Sequence, residues 1–279
     1  MSQKTQDTSK LNSSQQTSQK SVSQKPPRKP SQLVQLVTLL HNLSQIAGWS
    51  YVFYLTVSNL VPTKPSDQPT QNFLKSLNYS HYYTIPQFRQ FVEVFQTLQV
   101  LDVIFSILRF TNNSVMATFP QYVSRIFVVY GVFPYVANPD GQYSIILCVL
   151  MWSTIEVIRF SFYTVKQYQF LADSPIAVLL GYIRYNTFIP VYPTGVSGEL
   201  LAVYHAVQTI QYMLIKPYTI RMPNQWNFAF DYQLYLTITP LFYILGFPGL
   251  YMHMFRQRAK FHKEQRDKGK LQSKDIKQD

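Results

Sequence analysis

The chain has 279 residues, 47% of them hydrophobic and 14% charged, with a formal net charge of +12 and a single cysteine. One cysteine excludes an intrachain disulfide and a thiolate metal cluster, and the five histidines lack ligand spacing, so no metal is expected. Neither a glycine-rich phosphate loop nor a dinucleotide fingerprint occurs, which leaves no visible seat for a nucleotide cofactor, and no cofactor is expected.

The excess charge is concentrated at the ends. Residues 1–30 carry six Lys/Arg against one Asp, and residues 256–279 carry nine against four acids. The interior is therefore far below the roughly one quarter charged of a soluble domain and reads as a membrane domain. The mean hydropathy of −0.06 conceals this because two polar tails dilute it. Residues 1–32, rich in Ser, Gln, Lys and Pro, are too polar for a signal peptide and are expected to form a disordered, basic cytoplasmic tail. Residues 33–255 are expected to form a transmembrane helical domain, followed by a second basic cytoplasmic tail over 256–279 that forms a short surface helix before fraying. Basic stretches beside apolar spans hold those ends in the cytoplasm and attract anionic lipid; nucleic-acid binding is not expected.

In chain order, apolar segments of membrane length run over 36–61, 88–108, 115–137, 143–168, 176–191, 198–215 and 232–255. The connectors VPTKPSDQPTQN, RFTNNS, ANPDGQ, ADSP and KPYTIRMPNQWN punctuate them. Seven crossings would separate two basic tails that the positive-inside rule places on one side. The expected fold is an all-α, multi-pass transmembrane bundle of about six crossings built from as many as seven helices. The shortest segments, 176–191 and 198–215, are interrupted by Pro190 and Pro193 and are expected to make one broken crossing with an interfacial or re-entrant part.

Polar side chains recur at helical spacing within these segments. Gln96, Gln99, Asp102, Ser106 and Arg109 form one stripe; Trp152, Glu156, Arg159 and Tyr163 form a second; His205, Gln208 and Tyr212 form a shorter third. Polar faces on membrane helices point inward, so the three together imply an enclosed polar pocket. Glu156 and Arg159, three residues apart, can pair, either as a structural clasp or as a site for a polar or anionic ligand.

The costliest groups to bury are Tyr192 and, seven residues later, Glu199, with Pro193 and Gly195 between them. On spacing alone the two share a helix face, which suits a packing stripe as well as a chemical role. As a pair they supply a proton acceptor and a proton donor, the set required for β-elimination of water beside a carbonyl.

The run RYNTFIPVYPTGVSGELLAVY, with Arg184, Tyr185, Tyr192, Pro193, Gly195 and Glu199, resembles the signature of the membrane 3-hydroxyacyl-CoA dehydratases, also called protein-tyrosine-phosphatase-like proteins. HNLSQIAGWSYV, FQTLQVLDVIFS, QYVSRIFVVYGV and WSTIEVIRFSFY resemble the family's first four membrane segments, in order. The resemblance implies an endoplasmic-reticulum lyase in very-long-chain fatty acid elongation that removes water from (3R)-3-hydroxyacyl-CoA to give trans-2-enoyl-CoA. It implies Tyr192 and Glu199 as the catalytic residues, with Glu199 as base and Tyr192 as acid or in the reverse arrangement. Arg184, Tyr185, Glu156 and Arg159 are candidates to bind substrate or support the site. The implied partners are the acyl-CoA substrate, membrane lipid and the other elongation enzymes: elongase, ketoacyl-CoA reductase and enoyl-CoA reductase.

Two departures stand out. Where the family more often has Glu and His in the second segment, this chain has Asp102 and Phe105. The terminal KDIKQD lacks the second lysine of a dilysine retrieval signal. A phosphatase has no support, since the position six residues after Cys148 is not arginine. The competing reading is a non-enzymatic multi-pass scaffold or lipid-binding member of the elongation complex, in which Tyr192 and Glu199 only lock helices. A transporter is disfavoured by the lack of an internal repeat.

Overall fold

In the computed structural model, which describes residues 31–60, 86–111 and 114–275, the apolar segments become eight helices. These are α1 (Gln32–Leu60), α2 (Pro86–Leu98), α3 (Val100–Ile107), α4 (Val115–Phe127), α5 (Pro139–Gln167), a single-turn α6 (Gln169–Ala172), α7 (Pro175–Tyr212) and α8 (Tyr232–Asp275). α2 and α3 meet at Gln99, and α4 runs on through a π turn at Val128–Val132 and a 3-10 turn at Phe133–Tyr135. The described residues contain no strand, only an antiparallel bridge between Ile220 and Phe230, and the expected all-α bundle is what forms. Among the described residues, three stretches are long and apolar enough to cross a membrane: Pro86–Ile107, Gly141–Gln167 and Tyr232–Lys270. The N-terminal tail as far as Pro30, the connector VPTKPSDQPTQN and the last four residues of KDIKQD lie outside the described residues.

The expected break at the two prolines does not occur. Segments 176–191 and 198–215 are one helix, α7, of 38 residues that passes through Pro190 and Pro193. Pro193 has no N–H to give the carbonyl four residues earlier, that of Ile189. The hydroxyl of Tyr251 on α8 donates to this carbonyl instead, at 2.9 Å, so a neighbouring helix satisfies the orphaned acceptor. The start of α7 is set by Ser174, whose hydroxyl accepts from the Ala177 amide at 3.2 Å, and by Pro175 in the first turn. The basic segment after residue 255 also differs from expectation: it is no separate short helix but the unbroken continuation of α8 to Asp275.

The helical body forms one unit from Leu33 to Asp279, and its most extensive pairing is α5 against α7. Gly198 permits that approach. A Cβ at this position would lie 2.9 Å from the backbone nitrogen of Cys148, closer than such atoms come in practice. On α1 a single face, Gln45, Trp49, Val52 and Thr56, is fully buried, while Leu36, Leu40 and Leu43 are exposed; on α8 Leu241, Ile244 and Leu245 are exposed. Apolar side chains standing outward around a polar interior suit lipid, not water.

The two ends of the bundle are recognisable. At one, Gln167 closes α5 by donating to the Gln35 carbonyl at 2.5 Å and to Thr38 Oγ1 at 3.0 Å, and Lys268 of α8 pairs with Asp173 just before α7. At the other, Tyr232 donates to the Gly131 carbonyl at 2.7 Å and Asn138 meets His205 at 2.8 Å.

Candidate active site

The second polar stripe, on α5, organises the interior. Arg159 Nη2 lies 2.7 Å from Glu156 Oε2 and 2.8 Å from Asp102 Oδ2, so the expected Glu156–Arg159 pair exists and extends to α3. Arg125 of α4 pairs with the other oxygen of Glu156, and His41 of α1 brings Nε2 to 3.0 Å from Asp102 Oδ1. His41 also stands edge-on to Phe105, with centroids 5.5 Å apart, so α1 supplies an imidazole beside Asp102. Leaving His41 aside, two guanidinium groups face two carboxylates, and the network closes to neutrality without solvent. That is the condition under which buried ions are tolerable.

One turn away on α5, Trp152 connects this network to a third carboxylate. The Arg125 guanidinium sits 5.0 Å from the Trp152 ring, and the indole N–H donates to Glu199 Oε1 at 2.9 Å. The other oxygen of Glu199 accepts from Tyr243 of α8 at 2.6 Å. Glu199 is buried, and no lysine or arginine forms a salt bridge with it among the described residues. Two neutral donors, on two different helices, hold the carboxylate with both oxygens oriented.

Glu199 and Tyr192 line one cavity of about 350 Å³, walled chiefly by apolar side chains such as Met151, Ile155, Phe247 and Leu250. Tyr192 packs on Phe188, with centroids 5.9 Å apart, and its hydroxyl has no hydrogen-bond partner among the described residues. A second cavity, of about 490 Å³, lies toward the end of the bundle marked by Gln167 and Lys268 and is lined by Arg159, Tyr163, Lys166, Arg184, Tyr185 and Lys260 among others. Tyr192, Ile155, Met254 and His253 belong to both linings, so the cavities adjoin at Tyr192.

The remaining candidates sort by position. Arg184 donates from Nη2 to the Tyr163 hydroxyl at 3.0 Å and lies over the rings of Phe162 and Tyr163 at 4.9 and 4.5 Å. Tyr185 packs against Phe261 with the rings tilted and 4.8 Å between centroids. Both line the second cavity, with Arg159. Glu156 lines neither cavity and is enclosed between its two arginines. On the first stripe Gln96, Gln99, Asp102 and Ser106 are buried, whereas Arg109 is exposed. The third stripe does not join the pocket as expected: Tyr212 is 89% exposed, Gln208 bonds Tyr204, and His205 binds Asn138 at the far end.

Residues that sequence reasoning missed are Tyr243, Arg125 and His41. Arg125 stands in QYVSRIF, where a lone cation in an apolar run is a usable signal. Tyr243 is one of 21 tyrosines and nothing local distinguishes it.

Known proteins resemble this chain in sequence. The sequence model of the family described as "Protein tyrosine phosphatase-like protein, PTPLA" matches residues 96–264. The chain is 36% identical over 196 residues to "Very-long-chain (3R)-3-hydroxyacyl-CoA dehydratase 2" of Homo sapiens, covering 70% of this chain and 73% of that protein. It is 32% identical over 227 residues to "Very-long-chain (3R)-3-hydroxyacyl-CoA dehydratase hpo-8" of Caenorhabditis elegans, covering 81% and 94%. Against "Very-long-chain (3R)-3-hydroxyacyl-CoA dehydratase PASTICCINO 2B" of Oryza sativa subsp. japonica the identity is 29% over 221 residues, covering 79% and 90%. No solved structure matches the chain.

Proposed function

This chain belongs to the protein tyrosine phosphatase-like, PTPLA, family, and on that footing we propose that it dehydrates (3R)-3-hydroxyacyl-CoA to trans-2-enoyl-CoA, the third step of very-long-chain fatty acid elongation. The observation that carries the reading is the shared cavity of Tyr192 and Glu199, mostly apolar on its other walls, with Glu199 oriented by Trp152 and Tyr243.

In this mechanism Glu199, as carboxylate, takes the proton from the carbon next to the thioester carbonyl. The electron pair of that C–H bond forms the new C–C double bond as the bond from the β-carbon to its hydroxyl oxygen breaks. Tyr192 gives its proton to that oxygen, which departs as water. A proton passing from Glu199 to Tyr192, directly or through water, restores both groups, so one molecule of water is lost and none of the enzyme is consumed. Each oxygen of Glu199 accepts one hydrogen bond, from Trp152 or from Tyr243, and keeps a second lone pair for the substrate proton. The apolar cavity offers room for the acyl chain beyond the reacting carbons.

Cys148 supports no phosphatase chemistry. It is buried behind Gly198 and lines neither cavity. The membrane reading extends naturally: six helical rods, with α2 and α3 counted as one, the single-turn α6 left out and α4 taken through its π and 3-10 turns, suit six crossings with both tails in the cytoplasm. We place the protein in the endoplasmic reticulum beside the elongase and the two reductases, which supply its substrate and consume its product.

The test is dehydration of a long-chain (3R)-3-hydroxyacyl-CoA by the purified protein in detergent, beside Tyr192→Phe and Glu199→Gln. Each substitution is expected to lower turnover by about 10²- to 10⁴-fold while the protein still elutes as a folded species. Undiminished turnover in both would sink the assignment, and a Glu199→Gln protein that fails to assemble would favour the scaffold.

A further inference from the structure

Among the described residues, two enclosed guanidiniums on α4 and α5 are matched by carboxylates, and one on α7 is not. Arg125 and Arg159 share Glu156 and Asp102. Arg184 forms no salt bridge among the described residues: one terminal nitrogen donates to the Tyr163 hydroxyl, and the other, Nη1, is buried without a hydrogen-bond partner. A guanidinium enclosed by the faces of Phe162, Tyr163 and Tyr185 with an unused donor has lost much of its hydration and gained no counter-charge. It lines the 490 Å³ cavity together with Lys166 and Lys260, neither of which forms a salt bridge among the described residues; Glu264 is the one acid on that wall.

We infer that this second cavity is the seat of the coenzyme A arm, with Arg184, Lys166 and Lys260 receiving its phosphates, an assignment that rests on the dehydratase reading of the adjoining cavity. Three features of the fold select this ligand over a simple anion. The cavity adjoins the apolar one at Tyr192, so a single molecule can thread both with its thioester at the junction. The cations stand away from that junction: Ile155 at the junction and Lys166 beyond it are eleven residues apart on α5, roughly 16 Å along the helix. A long, neutral, amide-bearing linker between an acyl group and a polyphosphate has that shape, and the hydroxyls of Tyr163 and Tyr185 offer hydrogen bonds along it. Finally, the cations lie at the end of the bundle where the basic continuation of α8 begins, the side from which a polyanionic ligand is drawn in.

Coenzyme A recognition by phosphate predicts a selective defect. Full-length protein in detergent, without added anionic lipid, is assayed with the same 3-hydroxyacyl group carried either on coenzyme A or on pantetheine, which lacks the phosphates. For the double variant Lys166→Gln/Lys260→Gln, and separately for Arg184→Gln, the ratio of KM for the coenzyme A thioester to KM for the pantetheine thioester is expected to rise about tenfold or more, the size of one lost charge-assisted contact. Equal changes in both KM values, or no change in either, would overturn the assignment while leaving the dehydratase reading intact. Binding of free coenzyme A, measured by equilibrium dialysis, separates the two ideas in the other direction. If the unmodified protein binds coenzyme A, the variants do not, and no enoyl product forms from any thioester, the cavity assignment stands and the dehydratase reading falls. If the unmodified protein does not bind coenzyme A at all, the cavity assignment falls.

Discussion

Glu156 and Glu199 are both buried carboxylates in the membrane-embedded body, yet their surroundings are opposite. Glu156 is enclosed by Arg125 and Arg159 and lines no cavity; Glu199 is held by two neutral donors, Trp152 and Tyr243, and stands at the wall of a cavity. A carboxylate neutralised by two guanidiniums is a poor base and a strong fastener. One held only by neutral donors keeps its basicity for a substrate proton. On the proposed mechanism the same side chain therefore serves cohesion at one position and chemistry at the other, and the nature of its partners decides which.

The sharpest way to break this contrast is to remove each carboxylate and compare stability. Glu156→Ala strands the buried Arg125 guanidinium and leaves Arg159 with Asp102 alone, and is expected to cost about 3–5 kcal/mol, seen as a lowered midpoint of heat-induced aggregation in detergent. Glu199→Gln should cost only about 1 kcal/mol in the same measurement, because an amide oxygen still accepts one of the two bonds. Equal losses would mean that Glu199 is a fastener too.

A smaller effect probes the α5–α7 contact that brings Trp152 to Glu199. Gly198→Ala forces a Cβ against the Cys148 backbone and is expected to destabilise by about 1–3 kcal/mol. Gly195→Ala meets only Met151 Cβ at 3.4 Å and should be tolerated. If thermal midpoints of the two variants coincide, close backbone approach is not what fixes this pairing.

Tyr243→Phe removes one of the two donors to Glu199 and should lower kcat about tenfold, the equivalent of roughly 1.4 kcal/mol, with KM little changed. A rise in KM at constant kcat would instead assign Tyr243 to the wall of the acyl cavity. The smallest expected effect belongs to Tyr251→Phe, which leaves the Ile189 carbonyl without a donor beneath Pro193 and should cost about 1 kcal/mol of stability. Turnover falling as far as in Tyr243→Phe would show that straightness of α7 sets the site.

Much of the site is legible in the chain. Tyr192 and Glu199 stand out because ionisable groups are rare in apolar segments, and Glu156 and Arg159 because a three-residue spacing pairs them on one helix face. The third stripe misled, since helical spacing says which side chains share a face and nothing about what that face meets. His205 and Tyr212 lie beyond the pocket for that reason. The continuity of α7 was also hidden, because the donor that rescues Ile189 comes from Tyr251, 62 residues away.

From sequence alone came the helical class, the membrane character and the basic ends, because each is a property of composition or of spacing within one helix, and the two residues proposed to carry the chemistry, which the family resemblance implied. Tertiary structure alone decided that Trp152 and Tyr243 orient Glu199, that His41 and Arg125 complete the ion network, and that Arg184 has no carboxylate partner among the described residues. Those facts depend on contacts between helices far apart in the chain, whose rotation and depth are set by packing such as that of Gly198 on Cys148.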